Sequence, residues 1–210
     1  MSERKAFSFV LVGVGGQGTL LASNILAEVG LAAGFDVKKS EVHGMAQRGG
    51  SVASHVRWDS EEVHSPLVGA GEADILLSFE KMEALRFASF LRRGGTAVVN
   101  DQAIVPVTVS SGTSVYPGDE HLERVFAALD ATVVLVPGEK LALDAGTVKA
   151  ANVVLLGAVS RLLPLPEETW WECLAQRVPK KFLELNRVAF ASGRAAVGDA
   201  RVEEPGAAKR

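Results

Sequence analysis

The sequence predicts an α/β protein with a doubly wound, mostly parallel sheet and a helical C-terminal extension. Short, continuous apolar runs rich in β-branched residues recur along its first two thirds, as expected of strands buried on both faces of a parallel sheet. Stretches of helical apolar spacing separate several of them, the alternation that builds βαβ units. After residue 139 the strand pattern stops and helical spacing continues.

Taken in order, residues 7–12 (FSFVLV) read as the first strand. A glycine cluster follows, then a helix over 19–34 that ends at Gly34. Residues 37–42 form a second strand. The polar loop HGMAQRGG interrupts, and 51–58 resumes as a strand with Val52, Ser54, Val56 and Trp58 alternating. ADILLSF (73–79) is another buried strand, followed by a helix over about 80–92. GGTAVVND then gives a strand ending at Asn100 and Asp101. An edge strand is expected at 105–109, because Pro106 lacks a ladder donor. A helix over 119–129 follows Pro117-Gly118, and the strand 132–136 is closed by Pro137-Gly138. Residues 149–163 form a long apolar helix stopped by Pro164 and Pro166, and helices over 167–176 and 180–191 complete the end. The reading is a single α/β domain over 1–197, helical from about 139 to 197. Residues 198–210 are small, charged and proline-containing, the composition of a disordered tail.

Composition narrows the function classes. Hydrophobic residues make up 48% of the chain, enough for a sizeable core. With 22 basic and 25 acidic residues the net charge is -3, which offers no general pull toward nucleic acid. No apolar run reaches the roughly 18 residues of a membrane span. The opening MSERKAFSFVLVG runs straight into GVGGQG without a small-residue cleavage pattern, so it reads as a core strand rather than a leader. A cytoplasmic protein with no membrane partner is expected. Cys173 is the single cysteine. It excludes an internal disulfide and a four-thiolate iron–sulfur site, and its amphipathic setting suits a buried small hydrophobe.

Gly13-Val14-Gly15-Gly16-Gln17-Gly18 fits G-x-G-x-x-G between a strand and a helix. Glycines there permit a tight turn, admit a phosphate to the backbone and expose amides at a helix N-terminus. Glu41, about 20–25 residues on, stands where that fingerprint wants a ribose-binding acid. The same glycines can instead serve only close helix–strand packing.

Ser40-Glu41-Val42-His43-Gly44-Met45-Ala46-Gln47-Arg48-Gly49-Gly50-Ser51-Val52 puts an acid, an imidazole, an amide, a guanidinium and three glycines between two core strands. A plain connector is shorter and uses simpler turn residues. Strand ends are also where open α/β sheets hold ligands. Gly13, Gly15, Gly16, Gln17, Gly18, His43, Gln47, Arg48, Gly49, Gly50 and Ser51 are therefore the candidate ligand- or partner-facing residues, with no catalytic residue and no metal ligand among them. The competing reading pairs Arg48 with Glu41 and lets His43 satisfy a backbone carbonyl.

The two motifs in tandem, GVGGQG and SEVHGMAQRGGSV, resemble the gamma-type subunit family of 2-oxoacid:acceptor (ferredoxin) oxidoreductases. The likeness runs from about residue 7 to 163, and the SEVHGMAQRGG form points to the small beta subunits of the indolepyruvate branch. The resemblance implies a Rossmann-like fold. It further implies a large partner subunit that carries thiamine diphosphate, magnesium and the iron–sulfur clusters, with ferredoxin reached indirectly. The implied reaction is oxidative decarboxylation of an arylpyruvate to an arylacetyl-coenzyme A, carbon dioxide and reduced ferredoxin. Coenzyme A is then a candidate ligand at the interface, and no cofactor is expected on this chain alone. Pro117-Gly118-Asp119 lacks the acidic-to-asparagine continuation of a thiamine motif.

Two rival readings stand beside this one: a free-standing Rossmann-type nucleotide-dependent oxidoreductase, and a structural adaptor whose glycine loop binds nothing. Glu80 to Glu83 and Asn100-Asp101 end strands and either line a crevice or serve as first-turn and turn residues. Asn152, polar in an apolar helix, is expected to make a buried hydrogen bond. His55 and His64 lack partners at metal spacing. The apolar helix within 153–163 and Trp170-Trp171 suggest a surface for self-association.

Overall fold

The computed structural model describes residues 5–43, 50–113 and 115–198. The expected tail at 199–210 lies outside the described residues. The first strand, β1 (Ala6–Val14), leads through the glycine turn into α1 (Thr19–Ala32), then β2 (Asp36–His43) and β3 (Ser51–Asp59). Next come β4 (Ala73–Ser78), α2 (Lys81–Arg86), β5 (Leu91–Asn100), α3 (Val107–Ser110), α4 (Asp119–Ala127) and β6 (Thr132–Val136). The end is helical: α5 (Gly138–Asp144), α6 (Ala151–Leu162), α7 (Glu167–Arg177) and α8 (Leu183–Ala196).

One six-stranded sheet runs β2-β3-β1-β4-β5-β6. The pairs β1–β4, β4–β5 and β5–β6 are parallel, while β3 is antiparallel to both β1 and β2. The reversal has a simple cause. Only seven residues, 44–50, separate β2 from β3, fewer than the dozen or so that a parallel crossover needs. β3 therefore folds back between β2 and β1 and displaces β2 to the edge.

Successive residues of β1 face opposite layers. Phe7, Phe9 and Leu11 join a core with α1, α6, α8 and the buried Trp170, whereas Val10 and Val12 join a second core under α2 and α4. Helices thus cover both faces of the sheet, as the apolar runs predict.

Three expectations change. The edge strand at 105–109 is instead the short helix α3, since Pro106 sits at its start and accepts from the amides of Val109 and Ser110 at 3.0 Å each. The helix expected over 80–92 stops at Arg86, gives way to a 3-10 turn, Ala88–Phe90, and β5 begins at Leu91. The apolar helix at 153–163 is no free surface: Val153 to Val159 are buried between the sheet and α8, and Trp170 is fully buried. Val153 to Val159 and Trp170 therefore offer no exposed surface for the expected self-association.

Candidate functional site

The glycine turn leaves β1 at its C-terminal end and is held from inside. Gln17 folds back so that its Oε1 accepts the Val14 amide at 2.7 Å, while its Nε2 donates to the Phe79 carbonyl at 2.9 Å and to Gln102 Oε1 at 2.7 Å. Its side chain acts as a brace rather than a ligand contact. Gly13 also serves packing: a Cβ there would stand 2.9 Å from both Gln17 Oε1 and Phe79 Cβ. Gly16 and Gly18 have positive φ (107° and 84°), a backbone region that glycine enters without strain. Gly16 is exposed, and Gly18 is the N-cap residue of α1.

The second motif meets the first. The Gly15 amide donates to the Gly50 carbonyl at 2.9 Å, Ser51 lies opposite Val14 in the ladder, and His43 lies opposite Val52. The Gly50–Ser51 end of the HGMAQRGG loop is thereby set beside the glycine turn, and its His43 end lies one strand further out, on β2. Gln47, Arg48 and Gly49 lie outside the described residues, as does the side chain of His43. Glu41 does not take the ribose-binding place of a dinucleotide fingerprint. β3 intervenes between β2 and β1, which puts Glu41 two strand spacings away, roughly 10 Å. It pairs instead with Lys39.

Beneath Ser51 lies a network of buried acids that the sequence did not single out as such. Ser51 Oγ donates to the carboxylate of Glu83, which also pairs with Arg86 at 3.1 Å. Glu80, 1% exposed, caps α2 by accepting the Glu83 amide at 2.9 Å. It also accepts the Ile104 amide at 3.0 Å and the Tyr116 hydroxyl. Burial, then the Glu80 carboxylate, raises the Tyr116 hydroxyl above its ordinary pKa. Nearby, burial pulls the Lys81 ammonium down, but its hydrogen bonds to Asp101 and Asp119 outweigh that and hold it above its usual value. These contacts tie the segment after β5 and the start of β3 to the first turn of α2, so the acids of that turn are structural.

Two clefts flank the glycine turn. One of about 330 Å³ lies toward β3 and is lined by Gly15, Thr19, Leu20 and Val52. The other, about 400 Å³, opens over the ends of β1, β4 and β5 and the start of α6; Gly18, Asn100, Gln102, Glu139, Lys149 and Asn152 line it. Asn100 is committed within it, accepting the Gly138 amide at 3.0 Å and donating to Phe79 and Gln102 at 3.2 Å each. Asn152 makes no hydrogen bond among the described residues, contrary to the expectation of a buried partner. The glycine loop, Asn100 and the isolated polarity of Asn152 are the sequence signals for this cleft, whereas Gln102, Glu139 and Lys149 are brought there from distant segments.

Outside the site, His55 is buried, and its Nδ1 accepts the Val68 amide at 3.2 Å. Burial lowers its pKa. Burial also raises the Cys173 thiol. Among the described residues, no group of three or more His, Cys, Asp or Glu side chains is placed to hold a metal ion, and no helix is long and apolar enough to cross a membrane.

An open α/β sheet with helices on both faces and a cleft at the carboxyl ends of its strands is the architecture in which such proteins hold ligands. The chain belongs to the pyruvate ferredoxin/flavodoxin oxidoreductase family, whose model matches residues 8–196. It is 42% identical over 199 residues to indolepyruvate oxidoreductase subunit IorB of Thermococcus kodakarensis, covering 90% of this chain and 95% of that one. The IorB subunit of Archaeoglobus fulgidus is 37% identical over 188 residues, covering 89% and 92%. Among solved structures, the gamma subunit of keto/oxoacid ferredoxin oxidoreductase from Geobacter sulfurreducens superposes with a TM-score of 0.68 at 26% identity, covering 91% of this chain and 98% of that one. The 2-oxoglutarate:ferredoxin oxidoreductase of Magnetococcus marinus shares the fold, with a TM-score of 0.73 at 20% identity, covering 96% of this chain but 33% of that one.

Proposed function

We propose that this chain is the small subunit of a thiamine diphosphate-dependent 2-oxoacid:ferredoxin oxidoreductase of the indolepyruvate type. With its large catalytic subunit it supports oxidative decarboxylation of arylpyruvate to arylacetyl-coenzyme A in the cytoplasm. The observation that carries this is the 42% identity to an indolepyruvate oxidoreductase subunit across 95% of that subunit's length. One cysteine cannot supply the four thiolates of an iron–sulfur cluster, so electron transfer to ferredoxin runs through the partner. Thiamine diphosphate, bound with magnesium in the large subunit, supplies the stabilisation of the carbanion left by decarboxylation.

What this chain contributes is a shaped surface. The bond from Gly15 to Gly50 and the contact of Ser51 with Glu83 hold the Gly50–Ser51 end of the HGMAQRGG loop beside the glycine turn. In this reading Gln47, Arg48, Gly49 and His43 face the partner or coenzyme A. Leu20 and Val42, 46% and 51% exposed at the same end of the sheet, add apolar contact. Arg48 is the residue of this loop suited to bidentate recognition of a carboxylate or phosphate.

The test is co-expression with a large subunit carrying thiamine and ferredoxin motifs. The two chains are expected to co-purify and to turn over indolepyruvate with coenzyme A and ferredoxin, while the small chain alone is colourless and inactive. In the same assay Arg48→Lys is expected to weaken assembly or coenzyme A affinity by about 10- to 100-fold, the loss of a charge-assisted contact. Turnover of indolepyruvate by the small chain alone would overturn the subunit reading, and an unchanged Arg48→Lys complex would return that residue to a structural role.

A further inference from the structure

We infer that the outer edge of β6 docks a second copy of this chain, the two β6 strands pairing antiparallel about a two-fold axis. The sheet has an edge at each end, β2 and β6, and their sequences differ in kind. β2 (DVKKSEVH) carries Lys38, Lys39 and Glu41 along its length. Charged side chains, lysine above all, are the means by which an edge strand resists pairing with another chain. β6 (TVVLV) carries no charge, no proline and no glycine. An unguarded edge of that composition invites strand addition.

The register identifies the groups on offer. β6 pairs with β5 in parallel, Val99 beside Leu135 and Asn100 beside Val136, and the Asp101 amide donates to the Val136 carbonyl at 2.8 Å. Backbone groups of alternate residues turn to opposite sides of a strand. Thr132, Val134 and Val136 therefore address β5, while Val133 and Leu135 turn their amides and carbonyls outward. Among the described residues, no backbone hydrogen bond takes those outward groups. Leu135 is also 40% exposed, an apolar side chain left in water at the same edge.

A second copy satisfies these groups symmetrically. With Val134 on the axis, Val133 of one chain stands opposite Leu135 of the other, so every outward residue enters a hydrogen-bonded pair. Val133 packs against the core under α2 and α4, and Leu135 shares its face by alternation. Pairing sets Leu135 of each copy against Val133 of the other and takes it out of water. Thr132 falls opposite Val136, and no charge lies within either strand. The axis also brings the Arg93–Asp130 ion pair, at the start of β6, to the end where the other copy carries Glu139 and Lys140. Each side there holds one charge of each sign, so the ends are complementary rather than repulsive. The inference uses only this chain and does not rest on the identity of the large subunit.

The test is sedimentation equilibrium of the full-length chain, which is expected to show a monomer–dimer equilibrium over about a hundredfold range of concentration. Leu135→Lys, which sets a charge on the edge, is expected to weaken self-association by about tenfold or more. Val133→Pro removes an outward amide and leaves the β5 ladder intact, and a loss of about tenfold or more is expected there too. Leu31→Lys alters a leucine on α1 that is 58% exposed and away from this edge, and it is expected to leave the equilibrium unchanged. Thermal midpoints report that each variant is folded. Val134→Cys reads the register. A non-hydrogen-bonded antiparallel pair brings its Cα atoms to about 4.5 Å, within disulfide reach, so oxidation with diamide is expected to give a covalent dimer. The parent, whose Cys173 is buried, is expected to give none. A chain that stays monomeric throughout overturns the proposal and leaves the edge to a strand of another protein. A dimer that survives both folded β6 variants, or that Leu31→Lys weakens as much as they do, overturns the edge assignment. A dimer in which Val134→Cys forms no disulfide overturns the two-fold register.

Discussion

Asn152 and His55 are both polar side chains in apolar surroundings, and their environments give them opposite meanings. His55 is satisfied: its Nδ1 accepts the Val68 amide, and its ring stands edge-on to Phe90 at 5.7 Å. Burial favours the neutral ring, so its folded pKa lies below the ordinary 6.5. Between those two values the unfolded chain binds more protons than the folded one, and stability therefore falls as pH drops below about 6.5. Urea unfolding at pH 7.5 and 5.5 is expected to show this loss. His55→Gln, which keeps an acceptor for Val68, should flatten it. If the parent and the variant lose the same stability over that window, the ring is not the titrating group. Neither residue's role is legible in the sequence, where both are single polar letters. Only their neighbours show that one is satisfied inside the core and the other faces a cleft.

At the scale of elements, the pairing of α6 with α8 depends on two glycines. A Cβ on Gly157 would stand 2.1 Å from the Phe190 carbonyl oxygen, and one on Gly193 1.8 Å from that of Val154. Backbone meets backbone there, and no rotamer change can relieve an added methyl. Gly193→Ala is expected to cost about 3 kcal/mol or more by forcing the helices apart, despite the better helix propensity of alanine. A loss under about 1 kcal/mol by chemical denaturation would show that the contact yields. The sequence predicts both helices from apolar spacing, yet the glycines look like mild breakers until the partner helix is in place. The short helix α3 was missed for a related reason. β-branched residues around Pro106 read as strand, and only the neighbouring chain decides that proline starts a helical turn.

At the scale of the whole molecule, the two cores share their strands. Phe9 and Leu11 enter one layer and Val10 and Val12 the other, so neither core can melt without exposing the reverse side of β1. The helical end is bound into the same unit, since α6 packs on the sheet and Trp58 meets Trp170 at 6.5 Å. One cooperative unit is the proposed consequence. Calorimetry on the isolated chain should give a single transition whose calorimetric and van't Hoff enthalpies agree. Two resolved transitions would mean that the helical end is a separate domain.

By itself the sequence determined the α/β class, the two tandem motifs, the single thiol and the likeness to the gamma-type subunits. Those are properties of local periodicity, short spacing and composition, which the chain carries before it folds. The tertiary structure alone decided that β3 inserts antiparallel between β2 and β1, which moves Glu41 away from the glycine turn. It also turned Gln17 inward and joined Gln102, Glu139, Lys149 and Asn152 around one cleft. The physical reason is that strand order and cleft lining depend on which segments meet across long loops, and that contact is settled by burial and hydrogen-bond satisfaction over the whole chain rather than by any local pattern.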